Sequence, residues 1–126
     1  KWVWNAPFYR WIIRYADFYP AEKFDAGDIE PLRKKIQEGY SIAIFPEGTR
    51  SEDCSILRFH KGAFYLAKEL NVSIIPIMIH GFGYVLPKKY MLLKKGELRT
   101  IIMPRIFTEG KDYQELCKET RKMYKE

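Results

Sequence analysis

The sequence predicts an α/β domain, a mostly parallel or mixed sheet covered by helices, on three observations. Short apolar runs rich in β-branched residues fall at 41–45, 73–79 and 98–103. Stretches with apolar residues at helical spacing stand between and after them, and glycine, asparagine or proline punctuates the joins. Alternating strands and helices are the pattern of a sheet with helices packed on its faces. The chain has 126 residues, of which 47% are hydrophobic and 30% charged, with neither internal repeats nor a low-complexity linker. It is therefore expected to form one compact domain, 1–126, able to bury roughly two-thirds of its unfolded surface.

Taken in order, Pro7 to Tyr15 carries Phe8, Trp11, Ile12 and Tyr15 at i, i+3, i+4 and i+7 behind a proline suited to a helix start. Asp17 to Pro20 reads as a short extended segment ended by its proline. Asp28 suits the N-cap of a helix running through Pro31, Leu32 and Ile36, and Gly39 suits its left-handed stop. A strand is expected at 41–45. The next helix, Lys61 to Leu70, aligns Ala63, Leu66, Ala67 and Leu70 on one stripe and stops at Asn71. Ser73 to Ile79 is apolar nearly throughout, as in a strand covered on both faces. Leu98 to Met103 gives a third strand, ended by Pro104. Behind Asp112, Tyr113, Leu116, Cys117, Thr120 and Tyr124 recur at helical spacing and predict a C-terminal amphipathic helix.

The heptapeptide Phe45-Pro46-Glu47-Gly48-Thr49-Arg50-Ser51 follows the first of these strands directly. Pro46 and Gly48 stop the strand and display Glu47, Thr49, Arg50 and Ser51 on a loop at a strand end, where α/β folds keep their sites. The residue types suit a phosphate. Arg50 offers a planar fork of donors, Gly48 admits close backbone approach, and the hydroxyls of Thr49 and Ser51 add donors. Glu47 would repel such an anion unless it holds Arg50 in place or faces a substrate hydroxyl. The competing reading is a solvated turn with a local Glu–Arg pair.

All seven positions match the third signature block of the glycerolipid acyltransferases, the 1-acylglycerol-3-phosphate acyltransferase family, which the chain resembles from about residue 5 to 107. Phe59-His60-Lys61-Gly62-Ala63 is similar to the family's Phe-x-x-Gly-Ala stretch, and Ile75-Pro76-Ile77-Met78-Ile79-His80-Gly81 to its fourth block. The family's His-x-x-x-x-Asp motif is absent, since the fifth residues after His60 and His80 are Tyr65 and Val85. The resemblance therefore implies that the catalytic base and its aspartate lie upstream of Lys1, and that the 126 residues are an N-terminally truncated excerpt, inactive alone. It also implies transfer of a fatty acyl group from acyl-CoA or acyl-carrier protein to the hydroxyl of a lysophospholipid or glycerol phosphate, with no metal or other cofactor. Acceptor binding then falls to Glu47, Gly48, Thr49 and Arg50, with Lys23, Ser51 and His80 as further candidates. The family's second block places an arginine just after an apolar strand, as Phe-x-x-Arg. In the corresponding stretch Phe18-Tyr19-Pro20-Ala21-Glu22-Lys23 the resemblance offers Lys23 as a substitute point charge, which lacks the bidentate fork, and the competing reading is a solvated loop lysine. Two alternatives stay open: a non-catalytic lipid-binding module of the same fold, and an acyltransferase for another lyso- or amino-lipid acceptor.

The net charge of +6 favours anionic partners, namely phosphorylated lipid, acyl-CoA, an acidic carrier or an anionic membrane surface. Nucleic acid is disfavoured, for no zinc spacing, helix-turn-helix pattern or RNP-like strand is visible. Cys54 and Cys117 are expected to be thiols in a reducing compartment. No run approaches the roughly 20 apolar residues needed to cross a bilayer, so a peripheral place on the cytoplasmic face of a membrane is expected. Residues 85–95 interleave Leu86, Tyr90, Met91, Leu92 and Leu93 with Lys88, Lys89, Lys94 and Lys95. That mixture suits either an interfacial segment or a loop with packed apolar groups and wet lysines. His80, ending its strand before Gly81, either faces the motif loop or is a hydrogen-bonded structural residue.

Overall fold

The computed structural model describes residues 29–88 and 92–124. Its elements in chain order are α1 (Ile29–Gln37), α2 (Gly62–Glu69), β1 (Ile77–His80), α3 (Phe82–Val85), β2 (Arg99–Ile102) and α4 (Tyr113–Met123). The expected helix at 7–15, the extended segment at 17–20, Lys23 and the Asp28 cap lie outside the described residues.

Two helices end as their sequences foretell, each on a residue in the left-handed region. Beyond α1, Gly39 has φ +93°, and the N–H groups of Gly39 and Tyr40 donate to the carbonyls of Ile36 and Lys35 at 2.9 and 3.0 Å. Beyond α2, Asn71 has φ +52°, and Asn71 and Val72 donate to Lys68 and Ala67, both at 3.0 Å. Both are Schellman closures, which satisfy carbonyls that a helix end leaves without intrahelical partners. At the start of α4 the Glu115 carboxylate accepts from the Asp112 N–H at 3.0 Å, reaching back to the N-cap as in a capping box.

Helix α2 is buried on two sides and joins two apolar clusters. Phe64 packs with Phe59, Ile106 and Leu116, and around them stand Ala63, Ile74, Tyr113, Cys117, Met123 and Tyr124. On the other side Leu66 and Leu70 meet Leu32 of α1, with Ile29, Ile36, Ile42 and Val72 around them. Burial of such side chains, at about 25 cal/mol per Å² of apolar surface, is what fastens short helices that would not persist alone.

The described sheet has two antiparallel strands, with Ile77 opposite Ile102 and His80 opposite Arg99. This differs from the mostly parallel or mixed arrangement expected. An isolated antiparallel bridge pairs Ile74 with Ile106, whose N–H and carbonyl groups exchange bonds of 2.9 and 2.8 Å. The register of the main ladder would set Ile74 opposite Arg105. One extra residue therefore lies on the 103–106 side, at Pro104-Arg105, forming a bulge where proline cannot serve the ladder.

Among the described residues nothing pairs with the run 41–45, the expected strand, and Phe45 is 77% exposed. Ile42 is the member of the run that packs, against the α1/α2 cluster. Nor did periodicity foresee α3, a single turn opened by Gly81 at φ +86°.

Candidate functional site

The motif loop is a tight turn clasped from below. The Gly48 N–H closes it by donating to the Phe45 carbonyl at 3.1 Å, with Pro46 at the second position of the turn, where its fixed φ fits. Gly48 itself sits at φ +67°. A Cβ placed there would lie 3.2 and 3.3 Å from Cδ2 and Nε2 of His60, so the imidazole covers the face of Gly48. The His60 N–H donates to the Pro46 carbonyl at 2.7 Å. Thus the Phe59–Ala63 stretch folds back on the heptapeptide, with Phe59 in the core beneath.

Glu47 and Arg50 do not hold one another. The Glu47 Oε2 accepts from the Leu57 N–H at 2.8 Å, half-buried. Arg50 Nη1 donates to the Leu86 carbonyl at 2.9 Å on the exposed surface, and no ion pair joins the two among the described residues. The local Glu–Arg pair of the solvated-turn reading is therefore not formed. Glu47 braces the loop against residue 57, and Arg50 is anchored through one nitrogen to the end of α3. Gly48's own N–H is spent on closing the turn, so this glycine serves the loop by conformation and not as a donor.

Beyond the loop a second tight turn follows. Asp53 Oδ1 accepts from the Ser55 hydroxyl at 2.7 Å and the Ser55 N–H at 3.1 Å. These bonds, the hydroxyl's first, hold the Asp53 carboxyl below its ordinary range. Cys54 takes φ +62°, and its Sγ fills the space where a Cβ of Gly83 would stand. Both Arg50 and Cys54 thereby rest on α3, a contact between segments some 30 residues apart that no local pattern announces. Cys54 and Cys117 are both thiols.

From the far side Tyr124, the C-cap of α4, closes the base. Its hydroxyl donates to the Ile77 carbonyl at 2.9 Å, and its ring stands edge-on to Phe59 with centroids 5.5 Å apart. Burial raises the Tyr124 pKa above its ordinary value, and the negative charge of Glu47 adds to the rise. Sequence reading placed Tyr124 on an amphipathic helix but not beside the motif.

Of the other candidates, Ser51 is half-buried, while Thr49 and His80 are exposed. His80 ends β1 opposite Arg99, and no described contact joins it to the loop. His60, not the more prominent His80, is the histidine in contact with the motif. The adjacent similarity to a Phe-x-x-Gly-Ala stretch was its only signal. Among the described residues no group of three or more His, Cys, Asp or Glu side chains is placed to hold a metal ion, and no helix is long and apolar enough to cross a membrane. A shallow groove lined by Lys68, Asn71, Thr108 and Gly110 lies at the α2/α4 end and shares no lining residue with the loop.

Fold and loop together define an α/β protein that displays an arginine and a carboxylate on a braced turn. The sequence model of the Acyltransferase family matches residues 1–80, and the chain belongs to that family. It is similar to a 1-acyl-sn-glycerol-3-phosphate acyltransferase of Chlamydomonas reinhardtii, 35% identical over 94 residues, covering 74% of this chain and 28% of that protein. A chloroplastic 1-acyl-sn-glycerol-3-phosphate acyltransferase of Arabidopsis thaliana is 31% identical over 124 residues, covering 94% and 34%. The crystal structure of the 1-acyl-sn-glycerophosphate (LPA) acyltransferase of Thermotoga maritima superposes with a TM-score of 0.80 at 26% identity, covering 96% of this chain and 50% of that one. The chain thus spans about a third of these curated relatives and half of the solved structure.

Proposed function

We propose that this chain is the acceptor-holding part of an O-acyltransferase that moves a fatty acyl group from an acyl thioester to the hydroxyl of a lysophospholipid or glycerol phosphate. The observation that carries it is the braced 45–51 turn, with Arg50 held outward by the Leu86 carbonyl in a chain of the Acyltransferase family. Arg50 binds the acceptor's phosphate with its remaining guanidinium donors, a charge-assisted contact that also fixes direction. Glu47, oriented by the Leu57 N–H, faces the glycerol portion. Thr49 and Ser51 supply hydroxyls at the rim.

With the acceptor so held, its hydroxyl oxygen attacks the thioester carbonyl directly. The C–O bond forms, the C–S bond breaks, and the departing thiolate takes the proton removed from the hydroxyl. The base for that proton is a histidine–aspartate pair outside these 126 residues. The donor is acyl-CoA or acyl-carrier protein, and the work is done at the cytoplasmic face of a membrane.

Steady-state kinetics of Arg50→Ala in the full protein tests this reading. One charge-assisted contact of about 1.5–3 kcal/mol corresponds to a rise of roughly tenfold to a hundredfold in the acceptor's KM, with the donor's KM little changed. Arg50→Lys should recover part of the loss. Equal acceptor kinetics in Arg50→Ala and the parent would remove Arg50 from the site.

A further inference from the structure

Exposed apolar and basic residues stand on and after α3, beside the segment that anchors Arg50. Leu92 and Leu93 are 81% and 73% exposed, and Tyr84 on α3 is 70% exposed. Lys88 and Lys95 flank them, both exposed. Side chains this apolar are seldom left in water beside one another without a partner. Their base is firmly set. The Lys94 N–H donates to the Val85 carbonyl at 2.8 Å, and the Gly96 backbone lies against Val85 Cγ2 and the Tyr84 ring. Gly81 in turn is pressed so closely on the Glu97 carbonyl that a Cβ has no room. The leucines thus stand on a fixed platform, and Leu86 of that platform accepts Arg50 at 2.9 Å.

We propose that Tyr84, Leu92 and Leu93, together with the neighbouring Lys88 and Lys95, dock this chain on an anionic phospholipid bilayer and thereby set Arg50 at headgroup level. The proposal rests on the lipid-acceptor reading above and names the surface that delivers the acceptor. Charge selects the partner. The leucines enter the acyl boundary, the tyrosine keeps its hydroxyl among the headgroups, and the ammonium groups meet lipid phosphates. An apolar protein partner would need no neighbouring lysines. Because Arg50 and the platform share the Leu86 carbonyl, docking fixes the height of the phosphate-binding fork without moving the motif loop.

The test compares the full protein with Leu92→Asp/Leu93→Asp and Lys88→Gln/Lys95→Gln variants, in co-sedimentation with phosphatidylcholine vesicles with and without phosphatidylglycerol. Turnover is measured in parallel on acceptor embedded in the same vesicles and on a short-chain, monomeric lysophosphatidate. A lysine near an anionic surface is worth roughly fivefold in partitioning, and a buried leucine roughly tenfold or more. The lysine pair should therefore weaken binding to anionic vesicles by roughly 25-fold at low salt and leave neutral vesicles unaffected. The leucine pair should weaken binding to both. Both variants should lose turnover on vesicles and keep it on the monomeric acceptor. Variants that sediment and turn over on vesicles like the parent overturn the docking surface, as does a leucine pair that changes only the oligomeric state, which would assign the patch to a second copy. Failure of the parent on the monomeric acceptor would instead sink the acyl-acceptor reading, while the sedimentation still decides the docking.

Discussion

Replacing Gly48 by alanine should damage the motif loop mainly through the backbone, and only secondarily through crowding. At φ +67° an L-residue costs about 1–2 kcal/mol more than glycine, because Cβ meets the following carbonyl oxygen. The new methyl would also stand 3.2 Å from Cδ2 of His60, tight enough to need a shift of a few tenths of an ångström. His60 is exposed and can rotate, so this part is at most the cost of an off-rotamer side chain, about 0.5–1.5 kcal/mol. The loop is closed by the Gly48-to-Phe45 bond and seated by the His60-to-Pro46 bond, so strain at residue 48 spreads directly to Glu47 and Arg50. A denaturant midpoint series on the parent, Gly48→Ala, His60→Ala and the double variant separates the two parts, since residues in contact give a measurable coupling term. Gly48→Ala should lose about 1–3 kcal/mol and raise the acceptor's KM, and the double variant should recover only the smaller, steric share. The reasoning fails if Gly48→Ala is as stable as the parent, or if removing the His60 ring restores it fully.

Two further outcomes follow from the same geometry. Gly81→Ala should be markedly more destabilising than Gly39→Ala in thermal or denaturant unfolding. Both glycines have positive φ, +86° and +93°, but a Cβ at 81 collides with the Glu97 carbonyl while nothing lies within 4 Å of one at 39; the second should cost only the backbone share, about 1–2 kcal/mol, and equal losses would refute the collision. For Tyr124, the raised pKa means that the fold favours the protonated phenol. Its contribution is therefore fully present below the unfolded value of about 10 and is lost as pH climbs through the folded one. The stability gap between the parent and Tyr124→Phe, about 0.5–1.5 kcal/mol near neutrality, should narrow above pH ~10; a gap independent of pH would show that the phenol does not titrate differently in the two states.

The helix ends and the motif were legible because their causes are local. Gly39 and Asn71 stop α1 and α2 by their own backbone preferences, and Asp112 with Glu115 opens α4 through a bond three residues long. The motif loop lies at 45–51 as expected, and its turn follows from Pro46 and Gly48. What the sequence did not reveal is partnership at a distance. The β-branched run at 41–45 has the composition of a strand, but a ladder needs a neighbour, and the described ladder forms elsewhere, between β1 and β2. Glu47 and Arg50, three residues apart, suggested a mutual pair. Their actual partners stand 10 and 36 residues away, and nothing in a local pattern chooses a backbone group on another segment over an adjacent side chain. The contact of His60 with the motif was not legible for the same reason, since it covers a glycine twelve positions back.

The extra residue at Pro104-Arg105 works like a shift of reading frame within one strand. Extended from Ile77 and Ile102, the ladder's alternation would turn Arg105 toward Ile74 and set a guanidinium among Phe59, Phe64 and Leu116. Skipping one position exchanges it for Ile106, which sits 3% exposed in that cluster, and leaves the arginine in solvent. An apolar strand can thus carry a cation in mid-sequence without a buried charge, and the phase of the core is set by an insertion, not by the identity of the residue inserted. Deleting Arg105 should be tolerated better than deleting Ile102, because the first removes a surplus position and lets the two pairings merge into one register, whereas the second moves Pro104, which has no N–H, into the place from which Met103 donates to the Pro76 carbonyl.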